Sequence, residues 1–172
     1  MKNIKKIICL ILIFSIVFSG TQNVTAAKKH YSTKSVDWGL GLNKNHTTPG
    51  GTLPYNGFSL KKYNTIYTGN TKKKYIYLTF DCGYENGHTK KILDTLKQKN
   101  IKAIFFVTKP YVEENAKLVK RMKKEGHLVG NHTSTHPRLG ECNTDKIRSE
   151  LKSVEKCMKK KTGYTIDKFV RP

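Results

Sequence analysis

The sequence predicts an α/β fold: the N-terminal portion of a distorted parallel (β/α) barrel, preceded by an irregular arm. Three observations carry this. From residue 75 onward, apolar β-rich runs alternate with segments of helical period in the order β-α-β-α-β-α-β. Such alternation implies parallel pairing and right-handed crossovers. The residues best equipped for chemistry fall just past the ends of those runs, where ligand sites of parallel α/β folds gather. Residues 28 to 74, by contrast, are punctuated by glycine and proline and carry no regular period.

The first residues stand apart from the fold. Lys2, Lys5 and Lys6 form a basic start, Ile7 to Phe18 is apolar but too short to span a bilayer comfortably, and Val24-Thr25-Ala26-Ala27 offers small residues for cleavage. This is the pattern of a secretory signal peptide over 1–26; the competing reading is an uncleaved anchor. Removal leaves roughly 146 residues, enough for one domain with its own core, and no stable membrane span. The formal charge of +21 suggests a polyanionic partner. For an exported protein that partner is the anionic cell wall or membrane surface, not nucleic acid. The exported part keeps Cys82, Cys142 and Cys157, an odd number that argues against a disulfide framework. Along one helix, Cys142 and Cys157 would lie roughly 22 Å apart, beyond bridging distance.

The elements follow in order. Residues 27–70 read as an ordered but irregular arm, with Trp38, Tyr63 and Tyr67 available to staple it to the domain. Tyr75 to Phe80 reads as the first strand. Thr89 caps a helix running to about Gln98, with Ile92, Leu93 and Leu96 on one face. Ala103 to Val107 is a continuous apolar strand of the buried parallel kind. A helix from about Val112 to Lys124 turns Leu118, Val119 and Met122 inward and ends at Gly126. Leu128-Val129-Gly130 is the third strand. Asn143 or Thr144 caps a longer helix whose Ile147, Leu151, Val154 and Met158 share a face. Gly163 ends it, and Phe169-Val170 opens a fourth strand, leaving a half-built barrel with an unpaired edge.

Two short segments concentrate the chemistry. Thr79-Phe80-Asp81-Cys82-Gly83 ends an apolar run in a carboxylate, and His132-Thr133-Ser134-Thr135-His136 supplies two imidazoles four residues apart. Histidines at that spacing can present two nitrogens to one divalent ion, and a carboxylate beside it can serve as general base. The bland readings are incidental histidines and a capping aspartate. Cys82 is either a thiolate ligand or a small buried apolar residue. Glu85 and His88 lie in the loop after the first strand and could meet substrate. His127 reads as structural, His30 and His46 have no partner spacing, and the lysine runs 72–74 and 159–161 read as solvated faces or helix ends. No phosphate-cradling glycine loop and no G-x-S-x-G is present in the sequence, which disfavours nucleotide binding and serine chemistry.

From about residue 70 these motifs resemble the polysaccharide deacetylase family, the NodB-homology domain of carbohydrate esterase family four. Thr79 to Gly83 matches its first motif, His132 to His136 its second, and Arg171-Pro172 the opening of its third. Tyr67 to Thr71, Gly83-Tyr84-Glu85-Asn86-Gly87 and Asp37-Trp38-Gly39 are similar to the delta-lactam-biosynthetic branch, which acts on N-acetylmuramic acid in spore-cortex peptidoglycan. The resemblance implies a partial deacetylase domain over 71–172 and peptidoglycan glycan strands as partner. It also implies a divalent metal, zinc or a similar ion, on His132 and His136. Asp81 would be the base, with Arg171 orienting it. Cys82 stands where most of the family has a second aspartate that completes the metal site. The histidine that protonates the departing amine would lie beyond Pro172. The expectation is therefore a C-terminally truncated member, poorly folded and inactive as this chain. The alternatives are a catalytically dead wall-binding module, or a sibling acting on chitin oligomers or acetylxylan.

Overall fold

A computed structural model describes residues 60–172. The expected signal peptide, most of the arm and Trp38, His30 and His46 lie outside the described residues. Three parallel strands form the sheet, in the order β1 (Thr79–Cys82), β2 (Ile104–Val107), β3 (Leu128–Asn131). Asp81 stands level with Phe106 and Gly130, and Cys82 with Val107 and Asn131. A single parallel bridge from Asn131 to Val170 marks the start of the expected fourth strand.

The first strand begins later than its composition suggests. Tyr75, Ile76 and Tyr77 are 65, 87 and 69% exposed and unpaired in the sheet, and the ladder opens where Ile104 donates to the carbonyl of Leu78. β-propensity reports fit to a half-buried pleated surface. β2 supplies that surface only from Thr79 on.

Among the described residues four helices follow the strands: α1 (Thr89–Gln98), α2 (Lys109–Glu114), α3 (Ala116–Lys124) and α4 (Thr144–Thr162). Thr89 does not cap α1; His88 holds the cap position without a side-chain bond. Instead the Glu85 carboxylate accepts from the Thr89 N–H at 3.2 Å, placing an anion at the positive end of the helix. The single helix expected over 112–124 is two. α2 starts early because the Thr108 hydroxyl accepts from Tyr111 N–H, with Pro110 in its first turn. The backbone then breaks at Asn115, at φ −120° and ψ 34°. Gly126, at φ +79°, closes α3: its N–H reaches Lys123 and that of His127 reaches Met122, the paired bonds of a left-handed helix cap. Asn143 caps α4 by accepting from Lys146 N–H at 2.8 Å, and Gly163, at φ +81°, ends it.

The core lies between one sheet face and the helices. Phe105, Val107 and Val129 from the strands meet Leu93, Leu96, Tyr111, Val112, Val119, Met122 and Met158. Each large side chain so buried contributes roughly 1.5–3 kcal/mol. His127 is buried here too and accepts from Ala103 N–H through Nδ1 at 3.2 Å. Burial holds its pKa below the ordinary histidine value. Cys82, Cys142 and Cys157 are all free thiols.

Candidate active site

Strand alternation sorts the first motif. Thr79 and Asp81 stand on the open face of β1, while Phe80 and Cys82 turn toward the helices. On the open face Phe106 and Gly130 continue the row from Asp81. A side chain on Gly130 would fall 2.7 Å from the Phe106 ring, so the ring occupies the space that this glycine leaves.

Arg171 arrives on this face because residues 167–171 lie along β3. Asp167 donates to the Val129 carbonyl, Asn131 to that of Phe169, and Arg171 to that of Asn131. Asp167 also accepts from Val129 N–H and pairs with Lys123 at 2.8 Å. The Arg171 guanidinium lies over the Phe106 ring, 4.6 Å from its centre. Its Nη1 donates to Asp81 Oδ1 and Thr79 Oγ1, both at 3.0 Å. Both members of the Arg171–Asp81 pair are about two-fifths exposed. Such a pair adds about 0–1 kcal/mol to stability; its consequence is orientation.

The second motif leaves β3 in a tight turn. His132 N–H donates to the Val107 carbonyl, extending the ladder, and the ring is buried. Its Nδ1 lies 2.7 Å from the carbonyl oxygen of Arg171. A carbonyl only accepts, so Nδ1 carries the proton and Nε2 of the neutral ring keeps its lone pair. The His136 ring lies 4.6 Å from that of His132 at 75°. The structure thus brings the imidazoles beside each other and ties Asp81 to His132 through Arg171.

Cys82 lies at the buried end of β1. It is 7% exposed and part of the core. Burial, with the charges of Asp81 and Glu85 adding, pushes its thiol up to about 12. Ligation needs the thiolate, so a bound cation would have to work against this shift. Among the described residues no three histidine, cysteine, aspartate or glutamate side chains gather as a metal-holding group. Glu85, a candidate for touching substrate, is spent internally: its Oε2 accepts from the buried Tyr111 hydroxyl at 2.8 Å. Burial favours its neutral form, but the bonds from Thr89 and Tyr111 outweigh that and lower its pKa.

Sequence reasoning missed Glu150. It is 2% exposed, and its carboxylate accepts from the N–H groups of Ser134 and Thr135 and from the Thr135 hydroxyl. The signal was available: Glu150 follows Ile147 by three residues and precedes Val154 by four, so an acid sits on the apolar face of α4. An acid so placed needs partners.

A family model described as polysaccharide deacetylase matches residues 68–172. The chain belongs to the polysaccharide deacetylase family. Peptidoglycan-N-acetylmuramic acid deacetylase PdaA of Bacillus subtilis is 44% identical over 137 residues, covering 80% of this chain and 52% of that protein. A peptidoglycan-N-acetylglucosamine deacetylase of Bacillus cereus is 41% identical over 113 residues, covering 66% and 41%. The solved structure of Bacillus subtilis PdaA, a family 4 carbohydrate esterase, superposes with a TM-score of 0.77 at 42% identity, over 83% of this chain and 60% of that one. The chain spans about half the length of the curated relatives it matches. The parallel strands and helices of this family member match part of the barrel of that relative.

Deacetylases of this family are metal-dependent in general. In this member the protonated Nδ1 of His132 fits that requirement, because a ligating histidine characteristically donates its other ring nitrogen to a carbonyl or carboxylate. The adjacent His136 ring supplies a second nitrogen of the right chemistry.

Proposed function

We propose that this chain carries the base and the metal-ligand end of a metal-dependent N-deacetylase acting on peptidoglycan amino sugars, N-acetylmuramic acid foremost. The observation that carries this reading is the double engagement of Arg171, whose side chain binds Asp81 and whose carbonyl binds His132. Residues from three distant segments are thereby joined on one rim of the sheet.

His132 and His136 would hold the divalent ion, zinc or a similar cation. Such an ion supplies Lewis-acid polarisation of the acetamide carbonyl and makes water a better nucleophile at neutral pH. Asp81 accepts the proton of the attacking water. Arg171, stacked on Phe106 and bonded to Thr79, would hold the Asp81 carboxylate in place. Cys82 stays outside the ligand set. The names of the two relatives support peptidoglycan as substrate, and the Gly83 to Gly87 resemblance supports the muramic sugar of spore cortex. Export through residues 1–26 would deliver the protein to that substrate in the wall.

Acetate release from muramyl glycan strands by the natural protein is the test. Chelation should abolish release, and Asp81→Asn should slow it by about 100-fold or more. Release that survives both treatments overturns the reading. A preference for N-acetylglucosaminyl over N-acetylmuramyl strands would reassign the sugar.

A further inference from the structure

The turn from His132 to His136 has no regular secondary structure, and two of its residues hold left-handed backbone: Thr133 at φ +65° and His136 at φ +54°. For a β-branched residue this costs on the order of 1–2 kcal/mol, so the surroundings must fix it. They do so from α4. One oxygen of Glu150 accepts from Ser134 N–H at 2.8 Å and Thr135 N–H at 2.7 Å. Its other oxygen accepts from the Thr135 hydroxyl at 2.8 Å and faces Lys146 at 2.8 Å. The next residue, Leu151, offers its carbonyl to Asn131 Nδ2 at 3.0 Å, and Asn131 Oδ1 accepts from Thr133 N–H at 2.9 Å.

Both halves of the turn are thus tied to two consecutive residues of one helix. Glu150 touches neither imidazole in these bonds; it grips the two residues between Thr133 and His136. Burying a carboxylate is costly, and an apolar side chain would serve packing alone at least as well. Holding this backbone is a task that only an acceptor can perform.

We infer that Glu150 is a positioning residue, fixing the turn so that the His132 and His136 rings face one cation. The inference rests on the metal-site reading above. The test is zinc titration of the 172-residue chain against a chromophoric chelator, at a temperature where circular dichroism shows each variant folded. Glu150→Ala should weaken zinc binding by about 10- to 100-fold. Glu150→Gln, which keeps one carbonyl acceptor for the two N–H groups, should lose less, and it carries the test if the alanine variant does not fold. Substituted cobalt should change its visible spectrum in the same order. A role confined to stability would lower the unfolding temperature and leave the affinity of the folded protein unchanged; that result in both variants overturns the inference. His132→Ala separates the two readings. Binding lost there but kept in the Glu150 variants leaves the metal site standing and removes Glu150 from it. Zinc binding indifferent to His132→Ala overturns both.

Discussion

Arg171 lies 3.0 Å from Asp81 across 90 residues of sequence, and it is held there by more than the charge of its partner. Thr79 and the Phe106 ring fix the guanidinium from two further sides. Because the pair is exposed, its removal should cost less than about 1 kcal/mol of stability. Misaiming the base costs far more: a displacement of about 1 Å can slow a reaction 100-fold. Arg171→Met should therefore leave the urea midpoint of the chain nearly unchanged. It should also lower acetate release by the natural protein about 100-fold. Arg171→Lys should rescue little, since an ammonium reproduces neither the fork nor the stacking.

Gly130 tests the same arrangement from beneath. A methyl group there would fall 2.7 Å from two atoms of the Phe106 ring and 3.1 Å from the Phe169 carbonyl. Gly130→Ala should destabilise by about 1–3 kcal/mol through overpacking. It should also tilt the ring on which Arg171 lies. In urea unfolding, Phe106→Leu added to Gly130→Ala should recover part of the loss, because contacting residues couple. Additive losses in the double variant would show that the ring is not what excludes the methyl group.

The contrast between Asp81 and Cys82 shows what was legible. The alternation of apolar runs and helical periods placed both at a strand end, and the structure agrees on that end. Which face each residue takes depends on strand register, and register depends on where pairing with β2 begins. The tyrosine-rich run at 75–77 looks like strand by composition but meets no partner, so the reading began four residues early. The break at Asn115 was hidden because an apolar period runs through it, and the Thr108 cap lies upstream of that period. Glu150 was concealed by attention to apolar positions alone. The place of Arg171 at the fourth strand was legible from the pattern and its role only through family resemblance; its carbonyl contact with His132 depends on backbone geometry that no motif spells out.

Glu150 also makes stability depend on acid. Burial favours its neutral form, yet the bonds from Lys146, Thr135 and Ser134 prevail and hold its pKa at about 2, against an ordinary 4.5. A carboxyl lowered in the folded state contributes stability above its unfolded value and loses it as pH falls toward the folded one. Glu150→Gln should be less stable than the parent by about 2 kcal/mol at neutral pH. That gap should close as pH falls from about 4.5 to 2. Urea unfolding at stepped pH measures it, and a gap constant over that window would mean that the charge contributes nothing.

Cys82 separates a core residue from a ligand by two independent readouts. Its thiol, pushed up to about 12 mainly by burial, should resist alkylation at mildly alkaline pH, because the thiolate is the nucleophile. Cys142, only partly covered, should label first, which mass spectrometry of the digested protein resolves. Cys82→Ala removes a buried sulfur and should cost on the order of 1 kcal/mol, read as a lower unfolding midpoint. It should leave zinc affinity within about threefold, under 1 kcal/mol. A thiolate ligand predicts the opposite: protection of Cys82 by zinc, and loss of affinity by orders of magnitude in Cys82→Ala. The position that carries an aspartate in most of the family would then still hold the ion, with sulfur in place of oxygen. Retained affinity instead leaves the imidazoles of His132 and His136 as the protein's own hold on the cation.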